Sequence, residues 1–213
     1  MRTTLPRRFG RSAATGGPGV PTRLHIDRVL PTYDTVSRRH VVVDASPAAT
    51  YEAALAADLT RLGPVVGLLG ALRELPTRAT ARLRGGTVPE VTSFTLGDLA
   101  TRGTWVRLAD VAGEEFVFGA VGKVWRPDIE WVELTSEEFC GFDRPGYAKI
   151  VAGLSFVPYG EGRTLVTYEA RTAGTDTVSA WKFGLYWRLV GPFVGYILGR
   201  VLRRVERDAE TPT

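Results

Sequence analysis

The sequence contains very few of the residues that bind metals or form disulfide bonds. Cys140 is the only cysteine among the 213 residues, and His25 and His40 are the only histidines. One cysteine excludes an intramolecular disulfide and a cysteine-based zinc site, and two histidines are too few for a multi-histidine metal centre. We therefore predict no metal and no cofactor. The low cysteine content is typical of the reducing cytoplasm, where we expect the protein to act.

A long hydrophobic run is also missing. In the stretch WRLVGPFVGYILGRVLRRV, eleven uncharged residues from Leu189 to Gly199 precede a group of arginines, whereas a membrane-spanning helix needs about 20 apolar residues. On a helical wheel, one side of this segment carries arginines and the opposite side an apolar stripe. The stripe consists of Val194, Leu198, Val201 and Val205. We interpret this amphipathic segment as a core helix rather than an interfacial membrane helix.

Positive charge is scarce outside the N-terminal part of the chain. The net charge is +4, and residues 1–45 alone carry eight Arg and three Asp. The remaining residues are therefore close to neutral. Since a nucleic-acid groove needs concentrated positive charge, we expect no nucleic-acid partner.

The first 22 residues combine arginines with glycine and other small residues. The turn-rich sequence that follows Arg7 and Arg8 does not provide the apolar segment of a twin-arginine export signal. We predict that residues 1–22 form a disordered basic tail and that residues 23–210 form a single domain.

The first half of this domain predicts one strand and two helices. A strand is expected from His40 to Asp44, and Ser46 then provides an N-cap with Pro47 at the first helical position. A second helix is expected over 65–75 and a loop over 77–90, followed by a short helix from Thr95 to Ala100.

The second half predicts two hairpins and a long helix. Strands over 104–111 and 114–125 flank Ala112 and Gly113, and strands over 148–159 and 163–172 flank the Gly-Glu-Gly turn at 160–162. Between the hairpins, Thr135 and Glu138 form a capping box. Asp176 begins a helix that runs to about Asp208. The order predicts an α+β fold with the helices on one face of an antiparallel sheet.

Several segments resemble the START-like (SRPBCC) superfamily, which includes polyketide cyclase-like proteins. They are the first strand with ASPAATYEAAL, then WVRLADVAGEEFVFGAVGKVW, PGYAKIVAGLSFVPYGEGRTLVTYEART and the terminal YWRLVGPF. The resemblance covers residues 23–208. It implies a helix-grip fold, in which a curved antiparallel sheet wraps around a long C-terminal helix. It also implies a cavity for an apolar ligand between the two.

Aromatic residues lie on the elements that a helix-grip fold brings together. We take them, with two valines of the last helix, as candidate ligand-binding residues. The candidates are Phe116, Phe118, Trp125, Phe156, Tyr168, Phe183, Tyr186, Trp187, Val190 and Val194. An ordinary aromatic core would use the same residues, so both interpretations stay open.

The strand LVTYEART carries the candidate catalytic residues. Because side chains alternate along a strand, Glu169 and Arg171 project to one side and Tyr168 to the other. In one interpretation the polar side faces water. In the alternative, Glu169 and Arg171 face the cavity, paired with each other or with Asp176, and handle a proton there. Asp176 is equally expected as the N-cap of the final helix.

Three functions follow from these patterns. The first is binding of a small apolar molecule, lipid-like or polyketide-like, between the sheet and the last helix. The second is a polyketide cyclase-like or dehydratase-like enzyme that uses Glu169, Arg171 and Asp176. The third, which we favour least, is a peripheral protein whose basic tail and Arg200 to Arg207 contact an anionic membrane surface. The sequence leaves the ligand and the oligomeric state open.

Overall fold

The computed structural model describes residues 24–61, 95–99, 104–126 and 128–211. Its helices are α1 (His25–Val29), α2 (Pro47–Ala56), α3 (Leu96–Leu99), α4 (Ser136–Gly141) and α5 (Thr177–Glu210), with a 3₁₀ turn at Leu59–Arg61. Its strands are β1 (Thr35–Val43), β2 (Val106–Val111), β3 (Glu115–Gly122), β4 (Trp131–Val132), β5 (Ala148–Pro158) and β6 (Thr164–Gly174). The helix and loop expected over 65–75 and 77–90 lie outside the described residues.

The six strands form one antiparallel sheet. Five of them follow the order β1-β6-β5-β3-β2, and β4 pairs with β3 beside that path. The sheet curves against α5. The predicted α+β class and helix-grip arrangement are therefore confirmed.

Local signals in the sequence set most of the element ends. The Ser46 hydroxyl accepts a hydrogen bond from the amide of Ala49, with Pro47 in the first turn of α2. Thr135 and Glu138 form both hydrogen bonds of the capping box. Glycines with positive φ close the two predicted hairpins. These contacts satisfy backbone groups that would otherwise lack partners at helix ends and turns.

Strand β1 begins at Thr35, five residues before the predicted start at His40. It pairs with β6 along one edge and leaves Arg38, Arg39 and His40 exposed. Polar residues are tolerated on an edge strand because one side of it faces solvent. The sequence TVSRR therefore lacks the apolar alternation on which the prediction relied.

Strand β3 is buried on both faces along its whole length. Phe116 and Phe118 face α5, whereas Val117 and Val121 pack with Ile26 of α1 and Phe139 of α4. The prediction that the helices gather on one face is thus wrong, since α1 and α4 cover the back of the sheet. The segment His25–Val29 spans little more than one helical turn, which is too short to show a 3.6-residue period.

Helix α5 begins at a close contact with the end of β6. Asp176 accepts hydrogen bonds from the amides of Val178 and Ser179, as an N-cap does. Gly174 lies so near the first turn that a Cβ atom there would be 2.6 Å from the Cα of Ala180. The helix then continues through Pro192 without a break. Its starting point relative to the sheet is therefore fixed by backbone packing.

Two separate apolar clusters hold α5 to the sheet. In its C-terminal half, Leu198, Val201, Leu202 and Val205 pack into the main core with α2. In its N-terminal half, Phe183 packs with other residues around the end of β3. The predicted stripe is thus confirmed as core, and α5 is supported near both ends.

The contact at Gly174 yields a pair of substitutions with opposite expected effects. Gly174→Ala would press a methyl group on the backbone of Ala180 and should lower the free energy of unfolding by about 2 kcal/mol. Gly184→Ala, within α5 and with open space around it, should raise that free energy by about 0.5–1 kcal/mol. Urea unfolding measures both. Equal effects of the two substitutions would contradict the tight junction.

Candidate functional site

A cavity of about 410 Å³ lies between α5 and the sheet. Its lining combines residues from both apolar clusters, so the cavity occupies the space between the two regions where α5 is packed. The lining residues are Trp105, Phe118, Val124, Trp131, Ile150, Ala152, Tyr168, Ala170, Thr172, Phe183, Tyr186, Trp187, Val190, Val194, Ile197 and Leu198.

Short side chains on the sheet create this space. Ala152 of β5 and Ala170 of β6 are direct cross-strand partners, and Phe118 of β3 is the partner of Ala152 on the other side. All three line the cavity. A methyl group at each alanine position cannot reach a helix packed about 10 Å above the sheet, which leaves the middle of the interface unfilled.

Aromatic rings form much of the remaining wall of the cavity, which is partly open to solvent. On the helix, the rings of Phe183 and Trp187 stack with centroids 5.6 Å apart. On the sheet, Trp105 meets the ring of Phe118 edge-to-face at 5.4 Å. These pairs fix the orientation of the rings, so the cavity has firm flat walls suited to an apolar or planar molecule.

Two hydroxyl groups stand out on the apolar lining. Tyr168 and Thr172 occupy alternate positions of β6 on either side of Ala170. Within the described part of the chain, neither hydroxyl has a hydrogen-bond partner. Burial raises the pKa of Tyr168, so its phenol stays protonated at neutral pH. Tyr168 can therefore donate a hydrogen bond to an oxygen of a bound molecule.

Seven of the ten candidate ligand-binding residues line the cavity. They are Phe118, Tyr168, Phe183, Tyr186, Trp187, Val190 and Val194. Phe116 and Phe156 lie in the main core, where Phe156 contacts Tyr51 at a ring distance of 5.5 Å. Trp125 packs beside the second cluster beyond the end of β3. These three do not line the cavity, because being aromatic and on the right element does not fix a position along the strand.

Several lining residues were not predicted from the sequence. Trp105 and Trp131 were not considered, and Ile150, Ala152 and Thr172 were not assigned to the site. The two-residue alternation of β5 and β6 carried the signal, since positions 150 and 152 and positions 168, 170 and 172 each share a face. Small residues on that face are the mark of a space above the sheet.

Glu169 and Arg171 lie on the opposite face of the sheet from the cavity. Both are buried, at 5% exposure each, beneath α1. The Nε of Arg171 donates to the Oε1 of Glu169 at 2.7 Å. The predicted pairing with each other is confirmed, but the predictions that they face either water or the cavity are wrong. The alternation of a strand predicts which side chains share a face. It does not predict that a helix, here α1, covers the face opposite the cavity.

Arg38 and Asp27, whose side chains are 45% and 43% exposed, extend this pair to the protein surface. The guanidinium of Arg38 donates to both oxygens of Glu169, at 2.7 and 2.8 Å. Arg171 reaches Asp27 at 2.6 Å and the carbonyl oxygens of Ile26 and Leu30. It therefore binds the C-terminal end of α1, where a positive charge is favourable.

Glu115 holds the other end of α1. Its carboxylate accepts hydrogen bonds from the backbone amides of His25 and Ile26, at 2.7 and 3.2 Å. A negative charge at the start of a helix and a positive charge at its end complement the helix dipole. The charged groups on this face thus fasten α1 to the sheet.

Asp176 is separate from the Glu169–Arg171 pair, so the alternative in which it pairs with them is wrong. Besides capping α5, its carboxylate accepts hydrogen bonds from the Ser179 hydroxyl at 2.7 Å and the Gly146 amide at 2.5 Å. The hydrogen bonds from Ser179, followed by that from Gly146, lower the pKa of Asp176 to about 2. The capping interpretation is confirmed.

The described residues show neither a metal site nor a membrane-crossing helix. Over 24–61, 95–99, 104–126 and 128–211, no three His, Cys, Asp or Glu side chains cluster so as to hold a metal ion. Within those ranges, no helix has the length and apolar composition needed to cross a bilayer.

Comparison with known proteins gives only distant structural likenesses. No protein-family model matches the chain, and no curated protein is significantly similar to it. A conserved protein from Geobacillus kaustophilus aligns over 82% of this chain and 95% of its own, with 8% identity and a TM-score of 0.38. A protein from Chromobacterium violaceum aligns over 83% and 98%, with 12% identity and a TM-score of 0.37. One from Thermus thermophilus aligns over 82% and 97%, with 16% identity and a TM-score of 0.30.

The network around Glu169 gives an expected pH dependence. Burial raises the pKa of Glu169, but the hydrogen bonds from Arg38 and Arg171 outweigh burial and leave it below the ordinary 4.5. Its stabilising contribution is therefore complete above about pH 4.5 and is lost as the pH falls through the lowered folded-state pKa. Glu169→Gln should reduce the free energy of unfolding by about 2 kcal/mol at neutral pH, and much less in acid.

Urea unfolding of both proteins at several pH values measures this difference. The matched control is Glu161→Gln, an exposed hairpin-turn position, which should change stability by less than about 0.5 kcal/mol at any pH. A Glu169→Gln effect that stays the same from neutral to acidic pH would show that the pair is not an ionised network.

Proposed function

We propose that the protein binds a small apolar molecule, lipid-like or polyketide-like, in the cavity between α5 and the sheet. The observation that supports this most strongly is the cavity itself. Its volume of about 410 Å³ falls within the range of small-molecule sites, and aromatic and aliphatic side chains dominate its lining. An apolar ligand would remove this surface from water and fill the space between the two packed clusters.

The hydroxyl groups of Tyr168 and Thr172 suggest one polar end on the ligand. The Tyr168 hydroxyl has no hydrogen-bond partner within the described residues, so a ligand oxygen beside it could accept a hydrogen bond from the phenol. We infer a ligand that is mostly apolar and carries a carbonyl or hydroxyl oxygen at the β6 side of the cavity.

We also infer membership of the START-like superfamily. The helix-grip fold supports it, together with the segments of sequence that resemble that superfamily, such as ASPAATYEAAL and YWRLVGPF. Cavities between sheet and terminal helix are the feature that this resemblance implies, and the cavity found here is in keeping with it.

We propose binding rather than a cyclase or dehydratase reaction. General acid–base catalysis needs a group that reaches the substrate and titrates near neutral pH. Glu169 and Arg171 face the other side of the sheet, and Asp176 caps α5. Among the described lining residues, Tyr168 is a hydrogen-bond donor, and its raised pKa leaves almost no phenolate at neutral pH to act as a general base.

Filling the cavity should abolish binding while the fold persists. Ala170→Leu adds a branched side chain at the centre of the cavity floor, where space is available. We expect at least a tenfold loss of affinity for phenylnaphthylamine, a neutral fluorophore that brightens in apolar surroundings, and a stability change of less than about 1.5 kcal/mol. Fluorescence titration and urea unfolding measure the two quantities.

Ala49→Leu is the matched control, since Ala49 is exposed on α2. It should bind the fluorophore as the unmodified protein does. Unchanged binding by a folded Ala170→Leu protein, or no binding by the unmodified protein, would contradict a ligand site in this cavity.

Tyr168→Phe should lower the affinity only for ligands that carry an oxygen able to accept a hydrogen bond. Benzophenone and diphenylmethane have nearly the same shape, but only benzophenone carries a carbonyl oxygen that can accept a hydrogen bond. Removing the Tyr168 hydroxyl should weaken benzophenone about fivefold to tenfold and leave diphenylmethane unchanged. Displacement of phenylnaphthylamine measures both affinities. An equal effect on the two compounds would exclude Tyr168 as the polar contact.

A further inference from the structure

The outer face of α5 exposes a stripe of large apolar side chains. Trp181 is 69% exposed and Leu189 is 72% exposed. The outer stripe consists of Trp181, Leu185, Leu189, Phe193 and Tyr196. Successive members are three or four residues apart, so they share one side of the helix, opposite the buried residues. Single exposed apolar residues are ordinary, but a continuous stripe of this kind marks an interaction surface.

Positive charge accompanies the outer stripe. Residues 177–205 of α5 carry five Lys or Arg and no Asp or Glu, and the acidic residues of the helix, Glu206, Asp208 and Glu210, lie in its last turns beyond the stripe. Lys182 and Arg188 are exposed beside the stripe, and Arg203 is exposed about two turns beyond Tyr196. The face therefore combines Trp, Leu and Phe with basic residues, the composition of helices that lie in the boundary between lipid headgroups and acyl chains.

A groove of about 540 Å³ adjoins the stripe, between α5 and the edge strand β1. Arg39, His40 and Arg203 contribute its basic groups, and Tyr196 belongs both to the groove and to the outer stripe. Gly195 leaves room for the guanidinium of Arg39, because a Cβ atom there would lie 2.6 Å from its Nη2 atom.

Two guanidinium groups in this basic groove are available to an anion. Arg39 donates to the carbonyl oxygen of Arg38, and within the described residues neither Arg39 nor Arg203 forms an ion pair with a carboxylate. Guanidinium groups bind phosphate oxygens strongly through paired hydrogen bonds. The groove thus fits a phosphate group presented at the level of Tyr196.

We propose that α5 docks on an anionic lipid bilayer through the outer stripe, with lipid phosphates bound in the basic groove. The apolar side chains would enter the boundary between headgroups and acyl chains, and Trp181 and Tyr196 suit that depth because their rings are amphipathic. Arg39 and Arg203 would contact phosphates held in the same plane. This surface faces away from the cavity, so the proposal does not depend on a cavity ligand.

Charge favours a bilayer over two other occupants of the stripe. A second copy of the chain would bring another basic α5 face against the first, and like charges oppose that pairing. The second possible occupant is the segment over 62–94 of the same chain. It carries four Arg and two Glu, so its net positive charge does not complement the basic face of α5. Anionic lipids supply that charge over a wide, flat area.

Flotation of the full chain with lipid vesicles tests the proposal. The protein should float with vesicles of phosphatidylcholine and phosphatidylglycerol, bind phosphatidylcholine alone at least tenfold more weakly, and be released in part by salt. The variant Trp181→Ser with Leu189→Ser should lose at least tenfold in binding. The variant Arg39→Gln with Arg203→Gln should lose about tenfold and show a weaker salt dependence.

Control variants remove exposed charged or apolar groups elsewhere on the protein. Arg28→Gln with Arg144→Gln removes two exposed charges away from α5, and Tyr159→Ser removes an exposed ring from the hairpin turn. Both should bind anionic vesicles within about twofold of the unmodified chain. All variants keep the basic residues 1–23, so any binding by that segment is common to every sample.

Three results would overturn the proposal. The first is a failure of the unmodified chain to bind anionic vesicles at low salt. The second is binding by either α5 variant that equals its control. The third is a dimer, measured by sedimentation, that becomes a monomer in the Trp181→Ser, Leu189→Ser variant without any vesicle binding, since the stripe would then be an interface between copies.

Discussion

The whole arrangement depends on how α5 packs against the sheet. Its first turn is fixed at Gly174 and Asp176, and its C-terminal half is buried in the main core. Between these points the sheet offers Ala152 and Ala170, whose side chains are too short to reach the helix. Because a helix with both ends fixed cannot settle further onto the sheet, a space remains. The cavity follows from small residues under a well-anchored helix.

The back of the sheet explains why this floor can stay in place. Arg171 and Glu115 hold α1 at its two ends, and Glu169 links Arg171 to Arg38 of the edge strand. Such buried ion pairs contribute little net stability but are costly to break. On this face, Glu169 and Arg171 of β6 form structural ion pairs. On the other face of the strand, Tyr168 and Thr172 line the cavity. Alternate side chains of the same strand therefore contact α1 on one face and the cavity on the other.

Much of this fold can be predicted from the sequence because the signals that determine it are local. Caps at Ser46, Thr135 and Asp176, glycine turns and the apolar stripe of α5 depend on neighbours within a few residues. What covers the Glu169 face of β6 is not a local property. That face is covered by α1, a short helix more than 130 residues earlier in the chain. Most aromatic residues of the lining could be predicted as a group. Trp105 and Trp131 could not, because placing them at the cavity requires knowing how the strands pair. The outer stripe of α5 required knowing which face of the helix the sheet covers.

The most direct measurement of the central claim is a crystal structure determined under xenon pressure. Xenon enters dry apolar cavities large enough to hold it and leaves well-packed interiors empty. A xenon atom should appear between α5 and the sheet, in contact with Ala152, Ala170 and Val194. A solid interior at this place, with side chains filling the space above both alanines and no xenon between helix and sheet, would contradict the claim.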